Sequence, residues 1–346
     1  MSEINIRIER RAGRITLDRP DVLNALSWNM CLAIEAALDE WRTLDDVALV
    51  VIDAAPGRAF CAGGDILEMH RAGTEGRYEY GQRFWADEYR MNAKLFHFPK
   101  PVVTFLHGFT MGGGVGVGCH ASHRVVDATS RIAMPECGIG LVPDVGGSLL
   151  LARAPGRLGE YLGATGARMG PGDAIHAGFA DYFVAEGWDA LKAALCETGD
   201  PGAVDAAAGE VPDAPLADAQ PEIERLFAGE TLADIWRGLQ GVDTPLAEDA
   251  RAALSRNAPL SMACAIEMLH RLGDDPTIEA ALGMEYRFTF RALEHSDFVE
   301  GIRAQIVDKD RAPRWSHPGP DAVPTLAVSR MLQPLGADAL TLEETT

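Results

Sequence analysis

Residues 102–116 read VVTFLHGFTMGGGVG, and this stretch carries the pattern that decides the fold. The apolar run at its start has the length of a buried strand, and the glycine-rich turn at Gly112 then leads into a helical pattern. An earlier glycine-rich turn, FCAGGD at residues 60–65, follows the apolar run 47–53 in the same way. The sequence therefore predicts repeated passages from a strand through a tight turn into a helix, which is typical of an α/β protein.

Composition divides the chain into four segments. The alternation of strand and helix patterns predicts an α/β core over residues 1–197. Residues 198–221 are rich in Ala, Asp, Gly and Pro, which predicts a loosely structured excursion. Helical periodicity resumes over residues 222–320, and residues 321–346 are predicted to form a weakly ordered tail.

The charge balance excludes several classes of partner. The 346 residues include 31 Lys and Arg against 51 Asp and Glu, a formal net charge of −20. Nucleic acids and anionic membranes attract clustered positive charge, so neither is an expected partner. The chain also has no apolar run near the roughly 20 residues that span a bilayer, and its start resembles neither a signal peptide nor a transit peptide. We therefore expect a cytoplasmic protein without a membrane span.

The six cysteines show no CxxC pair and no metal-ligand spacing with histidine. This usage predicts buried free thiols, with neither disulfide nor metal site.

Two carboxylates stand out in the stretch MPECGIGLVPDVGG at residues 134–147. Apart from Glu136 and Asp144, the stretch consists almost entirely of glycine, proline and aliphatic residues. An unpaired carboxylate in apolar surroundings is costly and its pKa rises, so these two side chains are candidates for acid or base chemistry in a cavity. The structural alternatives are a buried salt bridge for Glu136 and a helix N-cap for Asp144.

The glycine-rich turns suit the stabilisation of a developing negative charge. When a nucleophile adds to an acyl carbonyl, the oxygen becomes anionic and needs donors that are already in place. Glycine allows the backbone to approach that oxygen closely, which makes the N–H groups of Gly64 and Gly113 the candidate donors. The alternative is that the glycines only permit tight turns. A nucleotide-phosphate loop is disfavoured, because the Gly112 turn lacks a GK[ST] ending and the acidic residue expected of a dinucleotide-binding unit.

At these residues the sequence resembles the crotonase (enoyl-CoA hydratase/isomerase) superfamily. The resemblance is carried by FCAGGD at 60–65, HGFTMGGGVG at 107–116 and MPECGIGLVPDVGG at 134–147. It extends from DRPDVLNAL at 18–26 to DKDRAPRW at 308–315, and the C-terminal segments resemble the branch that hydrolyses 3-hydroxyisobutyryl-CoA.

The resemblance implies a crotonase-like spiral of repeated ββα units with a helical C-terminal region, packed on its own core or on a neighbouring subunit. It implies an acyl-CoA substrate, no metal or other cofactor, and a homo-oligomer built from trimers. The Gly64 and Gly113 amides match the oxyanion hole, and Glu136 matches the catalytic glutamate. The neighbouring residues expected to bind substrate are Ala62, Asp65 and Gly112, with Asp65 also expected to cap the following helix.

Gly116 departs from the pattern of enoyl-CoA hydratases, which carry a first catalytic glutamate at that position. Asp144, in contrast, stands where hydratases usually have a small residue. The pair in this chain is therefore Glu136 with Asp144, in place of the two glutamates of hydratases. This pair suits hydrolysis of a short-chain 3-hydroxyacyl-CoA, and the resemblance favours 3-hydroxyisobutyryl-CoA from valine breakdown. The alternatives are an enoyl-CoA hydratase or isomerase, and a non-catalytic binding protein of the same fold.

Four further predictions concern side chains near these motifs. We expect Arg124 to form an ion pair and His107 and His120 to be structural. We expect three aromatic residues after the first glycine turn to pack in the core or line the acyl pocket: Phe84, Trp85 and Tyr89.

Overall fold

Two sheets form the core of the computed structural model, which describes residues 3–342. The larger sheet has the order β1 (Ile4–Glu9), β2 (Ala12–Leu17), β3 (Leu49–Ala54), β5 (Val102–Phe105), β7 (His123–Val126) and β9 (Tyr182–Phe183). The smaller sheet contains β4 (Ala59–Cys61), β6 (Phe109–Met111) and β8 (Arg131–Ala133). Only β1 and β2 pair in antiparallel fashion, while the remaining neighbours are parallel.

The chain passes between the sheets in a spiral. Strands β3, β5 and β7 enter the larger sheet, and each is followed directly by one strand of the smaller sheet. Every residue of β3 is buried, which explains the apolar run Leu49–Ile52, while the buried Asp53 pairs with Arg14 at 2.7 Å. The predicted crotonase-like spiral of ββα units is confirmed.

Helices cover the spiral. They are α1 (Trp28–Trp41), α2 (Leu67–Thr74), α3 (Tyr78–Phe96), α4 (Gly113–Gly118), α5 (Gly147–Arg153), α6 (Leu158–Thr165), α7 (Pro171–His176) and α8 (Trp188–Thr198). The Ser27 hydroxyl accepts a hydrogen bond from the Met30 N–H at 3.3 Å and so caps α1, a position at which serine is favoured.

The C-terminal helices pack on the core of their own chain. They are α9 (Gly202–Ala207), α10 (Pro215–Leu226), α11 (Leu232–Leu239), α12 (Pro245–Arg256), α13 (Pro259–Leu272), α14 (Ile278–His295), α15 (Phe298–Ile302) and α16 (Thr325–Leu332). Helix α14 contacts α3, while α13 contacts α5 and α6. A turn of π-helix, Arg303–Val307, continues α15.

Two predictions of loose structure are wrong. Helix α9 and the first half of α10 occupy the 198–221 excursion, where Val204 is fully buried and Pro215 begins α10. Proline at a first helical position is favourable, so the composition that indicates loops also suits helix starts. In the predicted tail, α16 packs against α13 and α14, and residues 343–346 lie outside the described part. The division into four segments stays a prediction.

Candidate active site

A cavity of about 490 Å³ opens where the three strands of the smaller sheet end. The first glycine turn follows β4, the second follows β6, and Pro135 and Glu136 follow β8. Since the carboxyl ends of parallel strands meet at one edge, three distant stretches of sequence converge there. All seven predicted site residues line this cavity: Ala62, Gly64, Asp65, Gly112, Gly113, Glu136 and Asp144.

The two glycine turns touch each other. A Cβ added to Gly113 would lie 3.3 Å from the Gly64 nitrogen, and one added to Gly112 would lie 2.7 Å from Oε1 of Glu136. Gly112 also has a φ of +50°, which disfavours other residues. Within residues 3–342 the Gly64 N–H donates to no carbonyl or side chain, and the Gly113 N–H begins α4, where helix amides have no intrahelical acceptor. Two amides are therefore available side by side.

Glu136 is 4% exposed, and its Oε2 has no hydrogen-bond partner among the described residues. Burial, and next the charge of Asp144, raise the pKa of Glu136 well above its ordinary value. No residue in the described part forms a salt bridge with it, so the salt-bridge alternative is wrong.

Asp144 is held by aromatic side chains of α3. The Tyr89 hydroxyl donates a hydrogen bond to its Oδ2 at 2.9 Å. Burial raises the pKa of Asp144 to about 7, although Tyr89 and the Trp85 side chain favour the ionised form. The N-cap of α5 is Gly146, with no side-chain hydrogen bond, so the capping alternative for Asp144 is wrong.

Glu88 is a third carboxylate in the cavity wall that sequence reasoning missed. It is 2% exposed, and its Oε1 has no partner in the described structure. Burial, followed by the charges of Asp144 and Glu285, raises its pKa well above the ordinary value. Glu88 lies four residues after Phe84 on α3, so helical spacing places it on the same buried face and could have identified it.

Glu285 of α14 tethers the turn that carries Asp144. Its fully buried carboxylate accepts hydrogen bonds from the Gly146 N–H at 2.8 Å, the Ser148 N–H at 3.0 Å and the Ser148 hydroxyl. The turn is strained, because Val145 has a φ of +55°, which is rare for a β-branched residue. Burial raises the pKa of Glu285 to about 8 against the effect of these donors.

Gly116 has no room for a side chain. A Cβ there would lie 2.7 Å from Nδ2 of Asn92 and 2.7 Å from Cβ of Val145. The position that carries a glutamate in hydratases is thus filled by neighbouring side chains.

Two further predicted side chains form ion pairs, and for Asp65 the predicted contact with substrate stays a prediction. Asp65 does not cap α2, whose N-cap is Ile66 without a side-chain hydrogen bond, because its carboxylate pairs with Arg19 at 2.9 Å. Arg124 forms the expected ion pair, with Asp181.

Histidine and cysteine side chains near the site are also structural. His120 bonds the Val145 carbonyl at 2.8 Å, and burial lowers its pKa to about 4. All six cysteines are buried free thiols, as predicted, and burial raises the pKa of Cys61 to about 12. No group of three or more His, Cys, Asp or Glu within residues 3–342 is arranged to hold a metal ion. None of the helices in this range has the length and hydropathy to cross a bilayer.

Apolar side chains also line the cavity. They include the predicted aromatic residues Phe84 and Trp85 together with Met69, Leu141 and Phe298. The cavity thus combines an apolar compartment, a group of carboxylates and two free amides.

Comparisons with known proteins agree with this geometry. The model of the enoyl-CoA hydratase/isomerase family matches residues 12–332. The mitochondrial 3-hydroxyisobutyryl-CoA hydrolase of Rattus norvegicus is 37% identical over 324 residues, covering 90% of this chain and 84% of the relative. The corresponding hydrolase of Homo sapiens is 34% identical, covering 88% of this chain and 81% of the relative.

Two solved structures share the whole fold. The structure of an enoyl-CoA hydratase from Rhodobacter sphaeroides 2.4.1 is 56% identical with a TM-score of 0.95, covering 99% of this chain and 100% of that one. The structure of a carnitinyl-CoA dehydratase from Mycobacterium thermoresistibile is 37% identical with a TM-score of 0.94 and the same coverage. The chain therefore belongs to the enoyl-CoA hydratase/isomerase family, the crotonase superfamily, and is an enzyme of that family that acts on CoA thioesters.

Proposed function

We propose that the enzyme hydrolyses a short-chain 3-hydroxyacyl-CoA, with 3-hydroxyisobutyryl-CoA of valine catabolism as the preferred substrate. The observation that carries this proposal is the presence of Glu136 and Asp144, without cationic partners, in the cavity that also presents the Gly64 and Gly113 amides. The names of the relatives in Rattus norvegicus and Homo sapiens support the choice of acyl group.

In this proposal the oxygen of the thioester carbonyl lies next to the backbone N–H groups of Gly64 and Gly113. Addition to the carbonyl carbon moves an electron pair onto oxygen, and the N–H groups of Gly64 and Gly113 stabilise the resulting anion. Glu136 drives the addition by one of two routes. Its carboxylate attacks the carbon to give a mixed anhydride that water then cleaves, or it removes a proton from the attacking water.

Asp144 protonates the leaving group in this proposal. When the carbon–sulfur bond breaks, the CoA thiolate takes up a proton, and an acid with a pKa of about 7 can supply it near neutrality. Tyr89 and Trp85 orient this carboxyl, while Glu285 holds the turn on which it lies. Water is the second substrate, and the products are the free hydroxy acid and CoA.

Hydration is the competing function, because solved relatives carry hydratase names. Adding water across a double bond in this family uses a carboxylate at the position of Gly116. That position is closed by Asn92 and Val145, which favours hydrolysis in this chain.

A paired assay tests the proposal. The purified enzyme is given 3-hydroxyisobutyryl-CoA with a thiol reagent, and in parallel crotonyl-CoA with its ultraviolet absorbance followed. We expect rapid thiol release and slow or no hydration. Hydration without thiol release would identify a hydratase, and neither reaction over a panel of acyl-CoAs would indicate a binding protein.

A further inference from the structure

The turn that carries Asp144 has an unfavourable backbone conformation. Val145 and Gly146, which follow Asp144 directly, have φ angles of +55° and +77°, and this left-handed region is costly for a β-branched residue such as valine. Such a turn persists only where the surrounding contacts hold it. The contacts that hold this turn therefore also decide where the Asp144 carboxyl lies.

The buried imidazole of His120 forms a hydrogen bond to the turn. Its Nε2 lies 2.8 Å from the Val145 carbonyl oxygen, and Nε2 carries the proton because a carbonyl oxygen can only accept. Burial lowers the pKa of His120 to about 4, so the ring is neutral near pH 7. Its Nδ1 has no hydrogen-bond partner among residues 3–342. Within that range, the imidazole therefore bonds to the Asp144 turn alone.

His120 and Glu285 hold the two ends of one peptide group. The Val145 carbonyl and the Gly146 N–H belong to the same planar unit and point in opposite directions. His120 donates to the carbonyl, and Glu285 accepts from the N–H at 2.8 Å. A rotation of this peptide group would break both hydrogen bonds at once, so the two side chains together lock the turn.

The imidazole is also packed tightly in this place. A Cβ added to Gly146 would lie 2.5 Å from Nε2 of His120, so the ring covers the backbone of the turn. The ring of Phe96, the last residue of α3, meets the imidazole edge-on with 5.9 Å between the ring centres. His120 is therefore in contact with both α3 and the turn.

Helix α4 connects this lock to the candidate oxyanion hole. The helix begins at Gly113, whose amide is one of the two candidate donors, and His120 follows two residues after its end at Gly118. The Val145 side chain also lies against α4, since a Cβ on Gly116 would be 2.7 Å from Cβ of Val145. One short helix thus determines the position of the amide and of the turn.

We propose that His120 is a positioning residue for Asp144, which with Glu285 locks the Val145–Gly146 peptide group and so fixes the Asp144 carboxyl relative to the Gly113 amide. His120 does not line the active-site cavity, so it acts through the turn and not on the substrate. This inference rests on the proposed function for the part that Asp144 takes in the reaction.

A double-mutant cycle separates positioning from a general loss of stability. His120→Leu removes the donor and is expected to lower kcat for thiol release by about tenfold to a hundredfold, with CoA affinity unchanged. In an Asp144→Asn background the same substitution should change the residual rate by less than about twofold, because His120 acts only through that carboxyl.

Two amide variants and a control complete the kinetic test. His120→Gln, whose side chain can donate to the same carbonyl, should keep kcat within about threefold of the unsubstituted enzyme. His120→Asn, whose shorter side chain does not reach that carbonyl, should behave like His120→Leu and replaces it if leucine prevents folding. The control is His107→Leu, because Nε2 of His107 has no hydrogen-bond partner within residues 3–342, and it should leave kcat unchanged.

Amide hydrogen exchange tests the lock without turnover. Mass spectrometry should show faster exchange of the segment 144–150 in His120→Leu than in His107→Leu or the unsubstituted enzyme, with α8 unaffected. Unchanged exchange in that segment, or an equal loss of rate in the presence and absence of the Asp144 carboxyl, would overturn the inference. Faster exchange together with no thiol release from the unsubstituted enzyme would support the lock and contradict the proposed hydrolysis alone.

Discussion

The protonation states of Glu136 and Asp144 depend on the burial of both side chains and on the charge that each places beside the other. Both are 4% exposed, and the pKa of each is raised by removal from water, with the charge of Asp144 adding to the effect on Glu136. The two groups titrate as a pair, so one proton can remain on the pair near neutrality. This arrangement provides an acid and a base in one cavity.

Removing either carboxylate is expected to stop turnover without unfolding the protein. Glu136→Gln and Asp144→Asn should each lower kcat for thioester hydrolysis by roughly 10²–10⁴-fold, because each removes a group that moves a proton or attacks the carbonyl. Thiol release measures the loss, and titration with CoA checks that binding persists. The control is Glu160→Gln, which changes a buried carboxylate outside the cavity and should retain activity. Loss of the folded circular dichroism spectrum in both active-site variants would show a structural role for the two carboxylates instead.

Tyr89→Phe is expected to move the pH profile. The Tyr89 hydroxyl donates to Asp144 and favours its ionised form, so its loss should raise the pKa of Asp144 above about 7. The apparent pKa in the pH profile of kcat should rise accordingly, and kcat itself is measured by thiol release. Tyr161→Phe on α6 is the control. An unchanged apparent pKa in the Tyr89 variant would show that the Tyr89 hydroxyl does not affect the catalytic carboxyl.

Sequence predicted the two glycine turns and the Glu136–Asp144 pair because each lies in a short stretch with few competing polar residues. Glu88 was missed because it lies among many charged residues of an amphipathic helix, where a single carboxylate is usually exposed. Only the contact of α3 with the second glycine turn reveals its role in the cavity wall. Partners supplied by distant elements, such as Glu285 for the Asp144 turn, also depend on tertiary packing.

At the scale of elements, helix starts were predictable where a side chain caps them. Ser27, Thr231 and Thr277 each accept a hydrogen bond from the first turn of the helix that follows. The excursion and tail were not predictable, because α9 and α16 depend on burial against the rest of the chain rather than on local propensity.

The close contact between α4 and the Asp144 turn predicts that a side chain at Gly116 destabilises the protein. Gly116→Ala would place a Cβ 2.7 Å from both Asn92 and Val145, and is expected to destabilise the protein by about 1–3 kcal/mol. Urea unfolding measures the change in free energy of unfolding. Gly283→Ala in α14 meets no heavy atom within 4 Å and should be neutral or stabilising by about 0.5–1 kcal/mol. Equal stability of the two variants would show that the Gly116 site has room for a side chain.

At the scale of the whole molecule, residues 3–342 include four buried carboxylates whose pKa values are raised: Glu88, Glu136, Asp144 and Glu285. A carboxyl with a raised folded pKa binds its proton more tightly in the folded state than in the unfolded chain. Its contribution to stability is complete below about pH 4 and is lost as the pH rises through the folded pKa, which is about 8 for Glu285.

The free energy of unfolding is therefore expected to fall between pH 5 and pH 8.5. Glu285→Gln should make this fall smaller by an amount on the order of 3 kcal/mol, while lowering stability at pH 5 through weaker hydrogen bonds to the Asp144 turn. Urea unfolding of both proteins at several pH values measures the two effects. An identical pH dependence in the variant would show that Glu285 is ionised throughout.

The most direct measurement of the proposed chemistry is a reaction of 3-hydroxyisobutyryl-CoA in H₂¹⁸O, followed by mass spectrometry of all products. Thioester hydrolysis at the Glu136–Asp144 pair should release free CoA thiol in step with hydroxy acid that carries ¹⁸O in its carboxyl group. The formation of an unsaturated acyl-CoA, with no thiol and no labelled acid, would contradict it.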